Sequence, residues 1–446
     1  MTDHPSREPT ARVLAVQRLL RVEADGAHVA RLADGSHSPE VSRRAVDYVS
    51  GVTRQKRWLD FLVGEFYRGE VRDLDPELRQ ILRIGAYELI EKEVAPHAAV
   101  NEAVETAKEL LHRGAAGLTN GVLRALDRAH RAGELPEPST GDLADDLAVR
   151  YSHPTWPVRR WLDRWGDAPT RAFLQSSNEP GRFTLRVTGG ADAVPDVIRQ
   201  LVDLGVEAET SEWADDFLLV DRLQPILRSD LLDDGTVAVQ DVAAGLVVRV
   251  LDPQPGDRVL DAAAAPGGKT VYAGLRMGNV GEVVGLDVSE AKVGLIAGAA
   301  RRHGLSIVRT VKADLTSWGG DGLFDRVLLD APCSGSGVLA KRADLRWRRS
   351  QEGVAELAAL QDALLDAAAQ HVRPGGLLVY STCSVEAEEN DDRVAAFLER
   401  RDDFRLEPVL GLVSDALVDG DVYRALPHVH GTDGAFAARL RRTDTP

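Results

Sequence analysis

Cysteine is almost absent from this chain: of 446 residues, only Cys333 and Cys383 carry a thiol. Two cysteines far apart in sequence exclude the disulfide framework of a secreted domain, and no matching histidine pattern makes a zinc site of them. Long hydrophobic runs are missing too. No stretch approaches the ~20 uninterrupted apolar residues of a membrane span; the richest, Val242 to Leu251, is short and carries Arg249. The N-terminal run Met1-Thr2-Asp3-His4-Pro5-Ser6-Arg7-Glu8 lacks the apolar core of a signal peptide. A cytoplasmic protein is the expectation. Positive charge is in deficit as well, with 54 Lys and Arg against 70 Asp and Glu and a formal net charge of −16. That balance argues against a surface coated by nucleic acid. It leaves open a local groove, because most of the cations are Arg, the side chain suited to bidentate phosphate contact.

What is present divides into three stretches. The length predicts about two to four domains, and 44% apolar residues suffice for several cores. Residues 1–135 read as helical, with apolar stripes at Val13, Val16 and Leu20, at Trp58, Phe61, Leu62 and Phe66, and at Leu78, Ile81, Leu82, Gly85 and Leu89. The turn-forming run Gly133-Glu134-Leu135-Pro136-Glu137-Pro138-Ser139-Thr140-Gly141 reads as a linker. Residues 145–238 begin with a short helical section, through about Ser177. A strand–helix–strand–strand pattern follows, from Phe183 to Val187, Val194 to Leu204, Val206 to Ala208 and Phe217 to Val220. That order is a small α+β module, used elsewhere both to bind RNA and as a spacer. Residues 239–446 alternate strands with helices: Arg258 to Leu260, Val283 to Leu286, Ile307 to Val311, Arg326 to Leu329 and Gly376 to Tyr380 are the strands. The expected class is α/β, with a doubly wound, Rossmann-like parallel sheet.

Each thiol sits just past an apolar run. Cys333 follows Val327-Leu328-Leu329-Asp330-Ala331-Pro332, and Cys383 follows Gly376-Leu377-Leu378-Val379-Tyr380-Ser381-Thr382. Such runs read as buried parallel strands, and the rim beyond their C-terminal ends is where open α/β sheets place ligands and catalytic groups. A free cysteine is more often an inert, buried small hydrophobe. Small and polar neighbours at two strand ends favour a nucleophile with an assisting second thiol.

The first strand runs into Asp261-Ala262-Ala263-Ala264-Ala265-Pro266-Gly267-Gly268-Lys269-Thr270 and then a helix. Small residues let the backbone approach a ligand, and a helix N-terminus offers free N–H groups. Gly268-Lys269-Thr270 imitates the end of a Walker loop, but the first required glycine falls on Ala263, which argues against an ATPase phosphate cradle. Asp287 ends the second strand, where a carboxylate accepts from ribose hydroxyls; Asp314 follows the third, within reach of an adenine amine; Asp330 ends the fourth. Any one of these would more often be a helix N-cap. As a series with Asp261 they suit S-adenosyl-L-methionine, an adenosine that bears a sulfonium and no phosphate. The cofactor-binding residues are then Ala263, Ala264, Ala265, Pro266, Gly267, Gly268, Lys269, Asp287, Asp314 and Asp330.

Residues 260–270, Asp330-Ala331-Pro332-Cys333-Ser334-Gly335-Ser336-Gly337 and Ser381-Thr382-Cys383-Ser384 resemble the motifs of RNA cytosine-C5 methyltransferases. Val239-Gln240-Asp241, Glu388-Glu389-Asn390 and Asp433-Gly434 fit as well. Leu82-Arg83-Ile84-Gly85-Ala86-Tyr87, His97-Ala98-Ala99-Val100-Asn101-Glu102 and Leu118-Thr119-Asn120-Gly121-Val122-Leu123-Arg124 are similar to the NusB-like RNA-binding domain. Together they resemble the RsmB, or Sun-type, 16S ribosomal RNA methyltransferases. Ala263 stands where that family usually has Cys, and Ala387 where it has Pro; neither position supplies chemistry.

The resemblance implies that Cys383 attacks C6 of the base and that Cys333 assists the later elimination. It also places Asp330 against N3 and the amino group, and Lys269 by the substrate or the thiol. An ordinary thiol is only a few per cent ionised at neutral pH, so positive charge or helix N–H groups must stand near it; the run after Cys383 can open such a helix. Lys341 to Arg349, with Trp347 among five cations, reads as an RNA-facing surface. A monomer acting on ribosomal RNA, without metal or membrane, is the expectation. A transfer RNA substrate is an alternative, as is an RNA-docking or antitermination protein with a vestigial methyltransferase domain.

Overall fold

The computed structural model describes residues 8–25, 37–92, 94–320 and 322–444. The chain divides into two units, Met1–Asn178 with Arg342–Arg348, and Glu179–Lys341 with Arg349–Pro446.

The first unit is helical. Its main helices are Ala11–Asp25, Pro39–Phe66, Pro76–Glu91, Pro96–Leu110 and Arg113–Ala132. Three of them open on proline, whose fixed φ and missing N–H suit the first turn of a helix. Their apolar stripes meet in one core that includes Val16, Leu59, Leu62, Leu82 and Leu123. Shorter helices follow at Leu143–Arg150, Thr155–Trp165 and Asp167–Ser176.

Residues 342–348 complete this unit, and only part of the cationic run is open surface: Arg342 and Arg348 are exposed, the rest is engaged within the fold. Arg346 is buried, with Nη1 donating to Asn178 Oδ1 at 2.7 Å and to the Ser152 carbonyl at 3.1 Å, and Nη2 to the Ser177 carbonyl at 2.9 Å. Burial lowers its pKa to about 9, and the nearby Arg54 guanidinium adds to the drop. Trp347 donates its indole N–H to the Thr53 carbonyl at 2.7 Å, with Lys56 over the ring. In the second unit, Lys341 is clasped by Asp241 and Asp433, and Arg349 donates to the carbonyls of Cys333 and Ser334, each at 3.0 Å. Most of the run is internal structure. Leu345 and Trp347, apolar residues inside a cationic stretch, were the sequence signal.

The second unit contains two sheets. Strands β1 (Phe183–Val187), β2 (Ala208–Thr210), β3 (Phe217–Val220) and β4 (Val237–Val239) form an antiparallel sheet in the order β2-β3-β1-β4, with helix Val194–Asp203 packed in the same core. The large sheet is made of β5 (Arg258–Asp261), β6 (Glu282–Asp287), β7 (Val308–Lys312), β8 (Phe324–Asp330), β9 (Val372–Thr382), β10 (Phe404–Glu407), β11 (Val418–Asp419), β12 (Val422–Ala425) and β13 (Ala435–Arg442). Its order is β11-β12-β13-β9-β8-β5-β6-β7, with β10 pairing β13. Strands β5 to β9 are parallel, whereas β13 runs antiparallel to β9. The sheet is therefore mixed. Three of its four C-terminal strands carry arginines among their apolar residues and β11 is only two residues long, which hid them from a search for apolar runs. Among the described residues, no helix is long and apolar enough to cross a membrane.

Candidate active site

The parallel order of β7, β6, β5, β8 and β9 aligns their C-terminal ends, so the aspartates and thiols of the sequence meet along one rim. On the β5–β6 side, residues 262–267 turn into helix Gly268–Arg276. Gly267 caps that helix at φ +108°, and a Cβ there would stand 3.1 Å from the Ile296 Cα, so glycine is required twice over. Ala264 N–H donates to the Leu286 carbonyl at 2.9 Å, fastening the loop over β6.

Asp261 is buried. Its Oδ2 accepts from the Thr270 hydroxyl at 2.7 Å, while Oδ1, also buried, has no hydrogen-bond partner among the described residues. Asp287 accepts from Ser289 N–H at 3.0 Å and lies 3.5 Å from Lys292 Nζ. Asp314 is exposed and accepts through Oδ1 from the N–H and hydroxyl of Thr316, at 2.9 and 2.7 Å. An orphaned buried acceptor and further carboxylates around a small-residue loop match a ligand that is cationic, rich in hydroxyl and amino donors, and brings no phosphate.

On the β8–β9 side the two sulfurs are in contact, Cys333 Sγ to Cys383 Sγ at 3.3 Å, and neither is fully exposed. Beside them Lys269 donates to Asp330 Oδ2 at 2.6 Å, and the Ser381 hydroxyl donates to Asp330 Oδ1 at 2.8 Å. The hydrogen bond with Cys383, together with burial, pushes the Cys333 thiol well above its usual range. Burial works to lower the Lys269 pKa, but Asp330, Asp261 and the Cys383 sulfur outweigh it and raise the value, so the ammonium is kept. The expected helix directly after Cys383 does not form: a 3-10 turn comes at Ala387–Glu389 and the helix starts at Asp391. Lys269 is the cation the thiol site has instead. The three turns of the site are stitched by backbone, Gly337 N–H to the Cys383 carbonyl at 3.0 Å and Gly434 N–H to the Gly337 carbonyl at 2.8 Å. A Cβ on Gly337 would come within 2.8 Å of the Gly434 Cα, so neither glycine tolerates a side chain.

The family profile described as "16S rRNA methyltransferase RsmB/F" matches residues 248–441. The NusB family profile matches residues 9–128, and an RsmF/B-like ferredoxin-like domain matches 153–227. The chain is 34% identical to the probable ribosomal RNA small subunit methyltransferase B of Bacillus subtilis (strain 168), over 98% of this chain and 99% of that one. The chain belongs to the RsmB-type ribosomal RNA methyltransferases. Identity to the ribosomal RNA small subunit methyltransferase B of Klebsiella pneumoniae is 32%, over 87% of this chain and 88% of that one. The crystal structure of PH0851 superposes with a TM-score of 0.79 at 27% identity, covering 98% of this chain and 99% of that one. As an RsmB-type enzyme the protein uses S-adenosylmethionine as its methyl donor, and the orphaned Asp261 oxygen and the phosphate-free loop fit that cofactor.

Sequence reasoning singled out neither Ser381, which holds Asp330, nor Arg349, which grips the Cys333 loop. Ser381 was visible as a hydroxyl inside an apolar strand; Arg349 was hidden in the cationic run.

The Asp261 site has a measurable pH signature. Burial pushes its carboxyl up to about 6, Asp330 adding to the rise and Thr270 opposing it. An unfolded aspartate titrates near ~4. A raised folded pKa contributes stability that is complete below about pH 4 and is lost as pH rises through about 6. In cofactor-free protein, Asp261→Asn should therefore gain on the wild type by roughly 3 kcal/mol between pH 4 and pH 7 in denaturant titrations. A pH-independent difference would refute the assignment.

Proposed function

We propose that this enzyme methylates carbon 5 of a cytosine in 16S ribosomal RNA through a covalent bond between Cys383 and C6 of the base. The observation that carries the reading is the pair of touching sulfurs at the ends of adjacent strands, beside a half-buried Lys269–Asp330 ion pair.

Cytosine C5 is a poor nucleophile, and thiolate addition to C6 turns it into an enamine carbon. Cys383 is the attacking sulfur: Lys269 lends it positive charge, and a Cys333 thiol that keeps its proton can donate S–H to it. Asp330, held by the hydrogen bond from the Lys269 ammonium, faces N3 and the amino group and stabilises the adduct. When bound, the cofactor supplies an electrophilic methyl group; Asp261, Asp287, Asp314 and residues 263–268 hold it. After transfer the C5 proton leaves, the C6–S bond breaks and its electron pair returns to Cys383, with Cys333 assisting directly or through a water. The target base must leave its stack, which favours unpaired or easily opened RNA. In the cytoplasm, where thiols stay reduced, both sulfurs remain available.

Tritiated methyl transfer from S-adenosylmethionine into unmodified small-subunit RNA, followed by mapping of the labelled base, tests this. Label on C5 of one cytosine is the expected result. Label on transfer RNA only would replace the substrate, and binding without transfer would support a vestigial domain.

A further inference from the structure

Below the two thiols lies a carboxylate to which the chemistry above gives no task. Glu389 is 0% exposed and sits six positions after Cys383 on the same segment. It accepts from the Ser334 N–H at 2.8 Å, from the Ser334 hydroxyl, and from Gln361 Nε2 at 3.1 Å. All these donors are neutral, so among the described residues hydrogen bonds hold this buried carboxyl group, an arrangement that is costly to assemble unless every donor is in place. Two of the three donors belong to the residue next to Cys333. The same Gln361 nitrogen also donates to the Pro332 carbonyl at 2.9 Å, on the other side of Cys333. Ser334, Ser336 and Ser384 extend the network between the two thiol-bearing segments.

Resting on the cysteine roles above, we propose that Glu389 is a positioning residue that holds Cys333 against Cys383 and thereby governs release of the methylated base. The asymmetry follows from what remains if the carboxylate is removed. The Cys383 segment keeps its own fastenings: Thr382 hydroxyl to Asn390 Oδ1 at 2.6 Å, Asn390 Nδ2 to the Ser384 carbonyl at 2.8 Å, and Tyr380 hydroxyl to the Glu389 backbone carbonyl at 2.6 Å. None of these uses the Glu389 side chain. The Cys333 segment loses the acceptor of the Ser334 N–H and one anchor of Gln361. Arg349 still grips the Cys333 and Ser334 carbonyls, so the segment loosens without being lost. Capture by Cys383 persists while release slows.

The test uses the full-length Glu389→Gln and Glu389→Ala variants with wild type and Cys333→Ala as references. Gln keeps the volume and one acceptor but turns an N–H donor toward the remaining donors, so its effect should lie between wild type and Ala. Turnover should fall about tenfold in Glu389→Ala, with single-turnover methyl transfer retained and a denaturation-resistant RNA adduct accumulating. A second readout needs no activity: diamide takes one hydrogen from each thiol to leave a disulfide, and its rate, followed by intact mass, reports how often the sulfurs meet. That rate should drop in both variants and recover in Glu389→Asp only in so far as the shorter carboxylate still reaches Ser334. Wild-type disulfide rates in folded Glu389→Ala and Glu389→Gln overturn the proposal whatever the methylation result. Loss of thiol pairing with no adduct even in Cys333→Ala supports the clamp and overturns the cysteine roles instead.

Discussion

Cys383→Ala should abolish methyl transfer, by more than about a thousandfold, with no covalent RNA complex at any time. Cys333→Ala should also stop turnover, but with the protein trapped on its RNA as a band that survives denaturation. The two sulfurs are 3.3 Å apart, so proximity alone does not rank them. Their surroundings do. Cys333 lies against Cys383 on one side and is buried on the other, and both factors hold its proton on. Cys383 has the Lys269 ammonium in its field. A Cys333 thiol that keeps its proton is suited to general acid–base work after methyl transfer and unsuited to attack before it. Adduct from the Cys383 variant instead of the Cys333 variant would reverse the assignment.

The distinction bears on what the sequence could reveal. The strand ends carrying Asp261, Asp287 and Asp330 were legible because each follows an uninterrupted stretch without charge, Val259-Leu260, Val283 to Leu286 and Val327 to Leu329, and the last residue announces itself. The thiols were legible through scarcity and placement. The strands from β10 to β13 were not: they pair antiparallel, β10, β12 and β13 mix arginine with apolar residues, and β11 is two residues long, so no single period marks them. The cationic run from Lys341 to Arg349 misled for a related reason. A sequence displays charge but not the acceptors that meet it, and here those are carbonyls and side chains distant in the chain: Ser152 and Asn178 for Arg346, Asp241 for Lys341. Glu389 was visible only as part of the run Glu388-Glu389-Asn390; its burial and its partners Ser334 and Gln361 were not.

Asp330→Asn carries the second large effect and separates the two halves of the reaction. Asp330 accepts from Lys269 at 2.6 Å and from Ser381 at 2.8 Å, one bond to each oxygen. The amide keeps the shape and one acceptor, but the Lys269 ammonium then has no carboxylate to share a proton with, and the base loses the group that feeds N3. Thiolate addition to C6 drives electron density onto N3, so that proton matters while the adduct forms, before the methyl group arrives. Methylation should fall by about a hundredfold to a thousandfold. The deciding measurement is the double variant Asp330→Asn with Cys333→Ala. If Asp330 acts in addition, the trapped adduct should form far more slowly than in Cys333→Ala alone. Trapping at the same rate would place Asp330 after methyl transfer, beside Cys333 and no longer beside Cys383.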